Sequence, residues 1–325
     1  MNQNKLKIAF YWAASCGGCE IAVLDINEKI LDVVQIADIV FWPVAIDIKY
    51  SDVEAMPDKH IDICFFNGSI RNSEQEHMAN LLRQKAKTLV AFGSCAHEGC
   101  VPGLANLHDR KEIFERVYLK EKSVVNPTAV IPKTKTEVKE GVLEIPEFYD
   151  TVKTLAQTVD VDYYLPGCPP PVKLIANAVD AIANNALPPK GSVLAPLKAV
   201  CDECPRKREN KRITKIYRVH EKTPEPEKCL LEQGILCMGL ATRSGCGAQC
   251  LNVDMPCTGC GGATPNMPEQ GAGMITALAS ILGYDEAKLS EKDIEQLMSQ
   301  IKDPVGTFYM YSLPASIMKK KVTKQ

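Results

Sequence analysis

Short apolar runs alternate with amphipathic stretches through the first 186 residues of the chain. Five runs have the length and composition of buried strands: Lys7–Ala13, Ile39–Val44, Ile61–Asn67, Thr88–Phe92 and Val161–Leu165. Between and after them lie helix-like segments. Ile21–Val34 carries apolar residues at three- and four-residue spacing, and Glu74–Lys85 and Val172–Asn184 also read as helices. Alternation of this kind predicts an α/β fold, a parallel sheet covered by helices, with the flavodoxin-like doubly wound order as the expected topology. Residues 106–160 are rich in charge and hold one helix candidate, Asp109–Leu119, among loops of Pro, Thr and Lys. They read as an insertion between the fourth and fifth strands.

The pattern changes at Leu187–Val200 (LPPKGSVLAPLKAV), where three prolines and a glycine predict a linker. Beyond it regular periodicity nearly vanishes until Gly271, then returns as helices over Gly273–Leu282 and Glu291–Ile301. A basic tail, KKKVTKQ, ends the sequence. Two domains are expected, 1–190 and a smaller, mostly irregular 191–325. A stretch of some sixty residues with little apolar pattern cannot build an ordinary core, and small folds of that kind are held together by metal.

Composition narrows the field. The 325 residues are 46% hydrophobic, enough for a sizeable core, and a net charge of −2 gives no reason to expect nucleic acid or membrane surfaces as partners. No stretch approaches a membrane-spanning length of apolar residues. The N-terminus, MNQNKLKIAFYW, has no leader-like pattern, so a cytoplasmic location is expected. In that reducing compartment fourteen cysteines point to metal ligation rather than disulfides.

Twelve of the fourteen sort into three sets of four: Cys16, Cys19, Cys95 and Cys168; Cys201, Cys204, Cys229 and Cys237; Cys246, Cys250, Cys257 and Cys260. The first set is scattered, but each member follows a predicted strand, at the carboxyl edge where open parallel sheets bind ligands. Gly17, Gly18, Gly93 and Gly167 stand beside these cysteines and allow a bulky inorganic core to approach the backbone. Soft thiolates in fours bind iron–sulfur clusters or zinc. Ligands spread over several loops of a sheet favour iron–sulfur, because structural zinc motifs tend to be local. Cys64, inside the third strand, reads as a buried apolar residue. Cys100, five residues after Cys95, is a lesser candidate for the first set.

The ordered motifs SCGGC, GSCA and PGCPPP resemble the small subunit of nickel–iron hydrogenases, a scaffold shared with the 20-kDa-type subunit of respiratory complex I. In the second half, Cys201-Asp-Glu-Cys204-Pro-Arg206, then Cys229 and Cys237, resemble the family's distal site, with Cys201 where its histidine stands. Cys246, Cys250, Cys257 and Cys260 resemble its medial site with an added cysteine. The resemblance is strongest to cytosolic, viologen-reducing hydrogenases linked to heterodisulfide reductase. It implies three [4Fe–4S] clusters, a separate large subunit that holds the nickel–iron centre, and a downstream acceptor subunit, ferredoxin-like or linked to heterodisulfide reductase. This chain would relay electrons and would not be catalytic alone. A related redox complex without hydrogenase activity is the alternative, and a zinc-stabilised interaction protein a further one.

Two features have plain readings beside sharper ones. Glu20 reads as a solvated or capping carboxylate at a helix start, with proton movement as the sharper role. The run Arg206–Lys215 carries six positive charges, a solvated loop in the plain reading and a docking patch for an acidic electron acceptor in the sharper one.

Overall fold

The computed structural model describes residues 5–282 and 290–320; the last five residues, read from the sequence as part of a basic tail, lie outside them. The strands are β1 Leu6–Trp12, β2 Ala37–Phe41, β3 Ile61–Asn67, β4 Ile70–Asn72, β5 Ala86–Phe92, β6 Lys135–Val138, β7 Gly141–Glu144, β8 Phe148–Lys153 and β9 Tyr163–Leu165. Five of them form one parallel sheet in the order β2-β1-β3-β5-β9. That is the doubly wound order expected from the alternation. The chain turns back across β1 to reach β3, which opens the crevice at the carboxyl ends of these strands.

Helices α1 Gly18–Leu24, α2 Ile30–Ile36, α3 Tyr50–Ala55, α4 Ser73–Lys85, α5 Ser94–Glu98, α6 Arg110–Phe114 and α7 Val172–Ala183 accompany the sheet. Two cores result from the period-two alternation of β3. Ile63 and Phe65 point to the face covered by α1 and α7, whereas Cys64 and Phe66 point to the face covered by α3 and α4. Large side chains buried this completely contribute roughly 1.5–3 kcal/mol each. A reciprocal cap starts α4: Asn72 Oδ1 accepts from the Gln75 N–H at 2.9 Å, and Gln75 Oε1 accepts from the Asn72 N–H at 3.2 Å.

Several elements differ from expectation. The predicted helix Ile21–Val34 is two short helices separated by a 3₁₀ turn at Asn27–Lys29, where Asn27 has φ 54°. The segment Asp109–Leu119 winds as α6 and then as a π-turn over Glu115–Lys120. Residues 106–160 hold an exposed β6–β7 hairpin and also β8, which pairs antiparallel with β4. The proline-rich stretch 187–200 is no free linker, because it runs along β9: Leu194 N–H donates to the Tyr164 carbonyl at 2.7 Å and Tyr164 N–H to that of Ser192 at 3.1 Å.

Past Val200 the chain is mostly 3₁₀ turns and loops, with helices α8 Gln249–Asn252, α9 Gln270–Ile281, α10 Glu291–Met298 and α11 Pro304–Phe308. A third apolar core there gathers Leu230, Ile235, Met238, Met274 and Phe308. The segment 309–316 then returns to the first half: Pro314 lies against Gly99 and Gly103, and its carbonyl accepts from Gln157 Nε2 at 2.8 Å. Among the described residues no helix is long and apolar enough to cross a membrane.

Candidate metal centres

The first four-cysteine set converges at the carboxyl edge of the sheet. Cys16 and Cys19 flank the start of α1, Cys95 lies in α5 directly after β5, and Cys168 follows β9. Three hydrogen bonds, two of them backbone to backbone, hold the last two loops together. Gly93 N–H donates to the Leu165 carbonyl at 2.8 Å, Ser94 N–H to the Gly167 carbonyl at 2.8 Å, and Gly167 N–H to Ser94 Oγ at 3.2 Å. Gly93 has φ 84°, and a Cβ there would stand 2.4 Å from Cys19 Sγ. The loops after β1 and β5 therefore touch through this position, which only glycine fits.

The structure adds a fifth thiol, a lesser candidate in the sequence. Cys100 is wholly buried, and its Sγ lies 3.6 Å from Cys168 Sγ. The signal for it is the five-residue spacing from Cys95 within one strand-end loop. Cys64 faces the opposite core and is wholly buried, as expected of an apolar strand residue.

The third set, Cys246 to Cys260, surrounds a cleft of about 350 Å³ whose lining also includes Cys168, Arg243 and Ser244. Ser94 Oγ donates to the Cys260 carbonyl at 2.6 Å, and the Cys168 N–H donates to the Cys260 sulfur. The second set, Cys201 to Cys237, lies on the other side: Cys257 N–H donates to Cys237 Sγ at 3.4 Å, and Met238 N–H to the Cys257 carbonyl at 2.8 Å. A Cβ on Gly239 would be 3.3 Å from Cys201 Sγ and 3.6 Å from Cys237 Sγ. The three sets thus stand in series, first to 246–260 to 201–237. At each junction the backbone N–H of one set's cysteine points at a sulfur of the next.

Burial pushes the thiols up, Cys260 and Cys201 to about 11 and Cys19 above the range of a free thiol, with neighbouring cysteines adding to the shift. Such thiols ionise only against a cation. Arg208 supplies part of that charge at Cys201, to which its guanidinium hydrogen-bonds. Among the described residues no three His, Cys, Asp or Glu side chains converge on a point, as a mononuclear ion requires. Cys246, Cys250, Cys257 and Cys260 line one cleft, and an all-sulfur donor set around a volume fits a polynuclear iron–sulfur core.

Two plain readings are corrected. Glu20 is buried rather than solvated: Oε2 accepts from Trp42 Nε1 at 2.5 Å and Oε1 from Asn67 Nδ2 at 3.3 Å, and burial raises its pKa. Arg206 does not belong to a surface patch. It is buried, donates to the Leu251, Glu225 and Lys228 carbonyls at 3.0–3.2 Å and pairs with Asp254. Lys207 and Lys211 do reach solvent. Sequence reasoning also passes over Glu98, a buried carboxyl pushed up to about 7 by burial, beside Gly262 and Ala263.

Residues 16–182 match the family model described as NADH ubiquinone oxidoreductase, 20 Kd subunit. The iron-sulfur subunit of the F420-non-reducing hydrogenase of Archaeoglobus profundus is 42% identical over 98% of this chain and 99% of its own. The chain belongs to the hydrogenase small-subunit family. The corresponding F420-non-reducing hydrogenase chain of Methanothermobacter thermautotrophicus is 37% identical over 99% of each chain. The solved [NiFeSe] hydrogenase of Desulfovibrio vulgaris Hildenborough shares the fold at a TM-score of 0.50 and 15% identity, covering 84% of this chain and 97% of that one. As a member of this family the chain is an oxidoreductase subunit of the iron–sulfur type.

Proposed function

We propose that this hydrogenase small subunit relays electrons between the nickel–iron site of a separate large subunit and an external acceptor, through three [4Fe–4S] clusters, in the cytoplasm. When bound, such clusters supply one-electron sites, so that the two electrons of dihydrogen can leave singly. Cys16, Cys19, Cys95 and Cys168 hold the first, with residues 1–190 as its domain. Cys246, Cys250, Cys257 and Cys260 hold the middle one, and Cys201, Cys204, Cys229 and Cys237 the last, within residues 191–325. The chain's own task is to bind, space and dry these sites.

One observation carries the reading: the three thiol sets stand in a row, joined by the Cys168 N–H to Cys260 and the Cys257 N–H to Cys237. Support for the partner comes from the first end of the row. Trp12, Ile21, Leu24 and Leu31 are large apolar residues left 41–62% exposed on and around α1 and α2, beside exposed Cys16. Isolated apolar residues on a surface are ordinary, but a group of them next to a redox site fits a subunit interface. At the other end, Lys207, Arg208 and Lys211 favour an acceptor with an acidic face, ferredoxin-like or linked to heterodisulfide reductase.

The test is metal analysis with Mössbauer spectroscopy on the complex purified without oxygen. About twelve iron atoms per small subunit, about four per site, are expected, together with nickel in the partner and hydrogen-dependent dye reduction. A colourless, zinc-containing protein defeats the proposal.

A further inference from the structure

We propose that the cleft between residues 216–219 and 300–310 seats the electron acceptor, a small protein with a carboxylate-rich face around an apolar side chain. The inference rests on the electron-relay reading above and adds where that relay is met from outside.

The cleft holds about 270 Å³ and is lined by apolar Val219, Leu236 and Met238, and by Cys257. Hydrogen bonds fix its walls. Gln300 Oε1 accepts from the Ile216 N–H at 2.8 Å and ties one wall to the other. The Tyr217 N–H donates to the Gly234 carbonyl at 2.8 Å, which joins the same wall to the loop that leads into Cys237. Leu236 and Met238 flank Cys237 of the last set, whereas Cys257 belongs to the middle one. A protein seated here stands at the junction of the two sets.

The rim is basic. Residues 206–228 hold nine Lys and Arg against four Glu, in a chain of net charge −2. Lys215 and Lys222 both sit over the Tyr217 ring, with Nζ 4.8 and 4.9 Å from its centroid, and this holds the two charges in place. Glu209, Glu225 and Glu227 are taken by Lys211, Lys228 and Lys207, and Glu221 accepts the Arg218 backbone N–H at 2.8 Å. Asp303, the acid of the cleft, caps α11 through the Gly306 N–H at 2.9 Å. Among the described residues no ion pair engages Arg218 or Lys302, which line the cleft. Free cations around an apolar hollow select carboxylates around an apolar plug, the pattern of a dry interface core inside a charged rim. Each dihydrogen oxidised at the partner's site releases two protons and two electrons, so each turnover reduces two acceptor centres by one electron apiece.

The test uses the complex of this chain with its large subunit, purified without oxygen. A small acidic [4Fe–4S] ferredoxin is the probe and methyl viologen the reference dye. Hydrogen-dependent ferredoxin reduction is followed at low and high salt, and each rate is divided by the dye rate of the same preparation. The parent's KM for ferredoxin should rise steeply with salt. Arg218→Glu combined with Lys302→Glu should raise KM at low salt at least about tenfold and flatten the salt dependence. Val219→Trp fills the cleft at constant charge, since Val219 is 43% exposed there. It should raise KM as well and leave the salt dependence intact. Lys122→Glu combined with Lys139→Glu makes the same charge change on exposed residues of the insertion and should match the parent. An unaltered KM in V219W, or equal effects of the two charge-reversed pairs, would overturn the proposal. So would ferredoxin left oxidised while the dye is reduced. Loss of the large subunit from V219W would assign the cleft to that partner and likewise overturn it. A parent complex that reduces neither acceptor and holds no iron would overturn the electron-relay reading itself.

Discussion

Ser94 and Cys260 are 166 residues apart in sequence, yet the Ser94 hydroxyl donates to the Cys260 carbonyl at 2.6 Å. The same oxygen accepts from the Gly167 N–H at 3.2 Å. One serine thereby ties together the loops of Cys95, Cys168 and Cys260, members of two different thiol sets. The spacing between the first two proposed centres depends on this buried hydroxyl.

Ser94→Ala should cost about 2 kcal/mol, because it leaves a buried N–H and a buried carbonyl without that partner. A lowered thermal midpoint of the anaerobic complex is the expected measurement. Slower passage of electrons between the first and middle centres should accompany it, seen by rapid-freeze EPR after hydrogen addition. An unchanged midpoint would show that the three loops are held by other contacts.

Gly93→Ala tests the first centre alone. The new Cβ would lie 2.4 Å from Cys19 Sγ, on a backbone at φ 84° that alanine tolerates poorly. The Cys19 sulfur must move, so iron should fall by about a third while the spectra of the other two centres persist. Iron at the wild-type level would contradict the convergence of these two loops on one cluster.

How much of this is legible in the sequence follows from which forces act locally. The sheet can be read because β3 is buried on both faces and shows it as an apolar run, Ile63–Phe66, broken from Ile61 only by Asp62 near the strand's start. The break in the predicted helix Ile21–Val34 cannot, since Ile26 and Ile30 continue the apolar period through a turn set by the φ of Asn27. The stretch 187–200 looks like a linker because proline content conceals its pairing with Tyr164, an interaction made only in three dimensions. The cysteine sets are legible from motif spacing. The place of Cys100 is not, because it depends on Tyr311 and Pro314, more than two hundred residues downstream. Likewise Glu20 and Arg206 carry charge, which ordinarily means surface, yet Trp42, Asn67 and Asp254 give each a partner that permits burial.

Glu98 makes stability depend on pH. Burial raises its carboxyl to about 7 against an ordinary value of 4.5, and the Ala263 N–H and Arg243 offset this only partly. In the window between these values the folded state binds more protons than the unfolded chain. Stability therefore falls as pH rises through the folded value. Glu98→Gln should remove this dependence, being near neutral below about pH 4.5 and stabilising above about pH 7 by up to about 3 kcal/mol. Thermal midpoints of the two proteins across about pH 5 to 8 provide the comparison. Parallel curves would mean that the carboxyl is charged in the fold throughout.

Ile21 tests the proposed large-subunit face. It sits on α1 one residue after Glu20 with 62% of its surface exposed, although its neighbours Glu20 and Ala22 are buried. Exposure of that size means Ile21→Glu should change the stability of the isolated chain by no more than about 0.5 kcal/mol. At the centre of an apolar interface the same change buries an unpaired charge and should weaken association at least about tenfold. Val125→Glu is the control, since Val125 is 95% exposed and lies in the insertion rather than in a cysteine-bearing loop. Dilution series on a sizing column, run without oxygen, should show I21E dissociating from the large subunit at concentrations where V125E and the parent remain bound. Equal behaviour of the two variants would move the interface off α1.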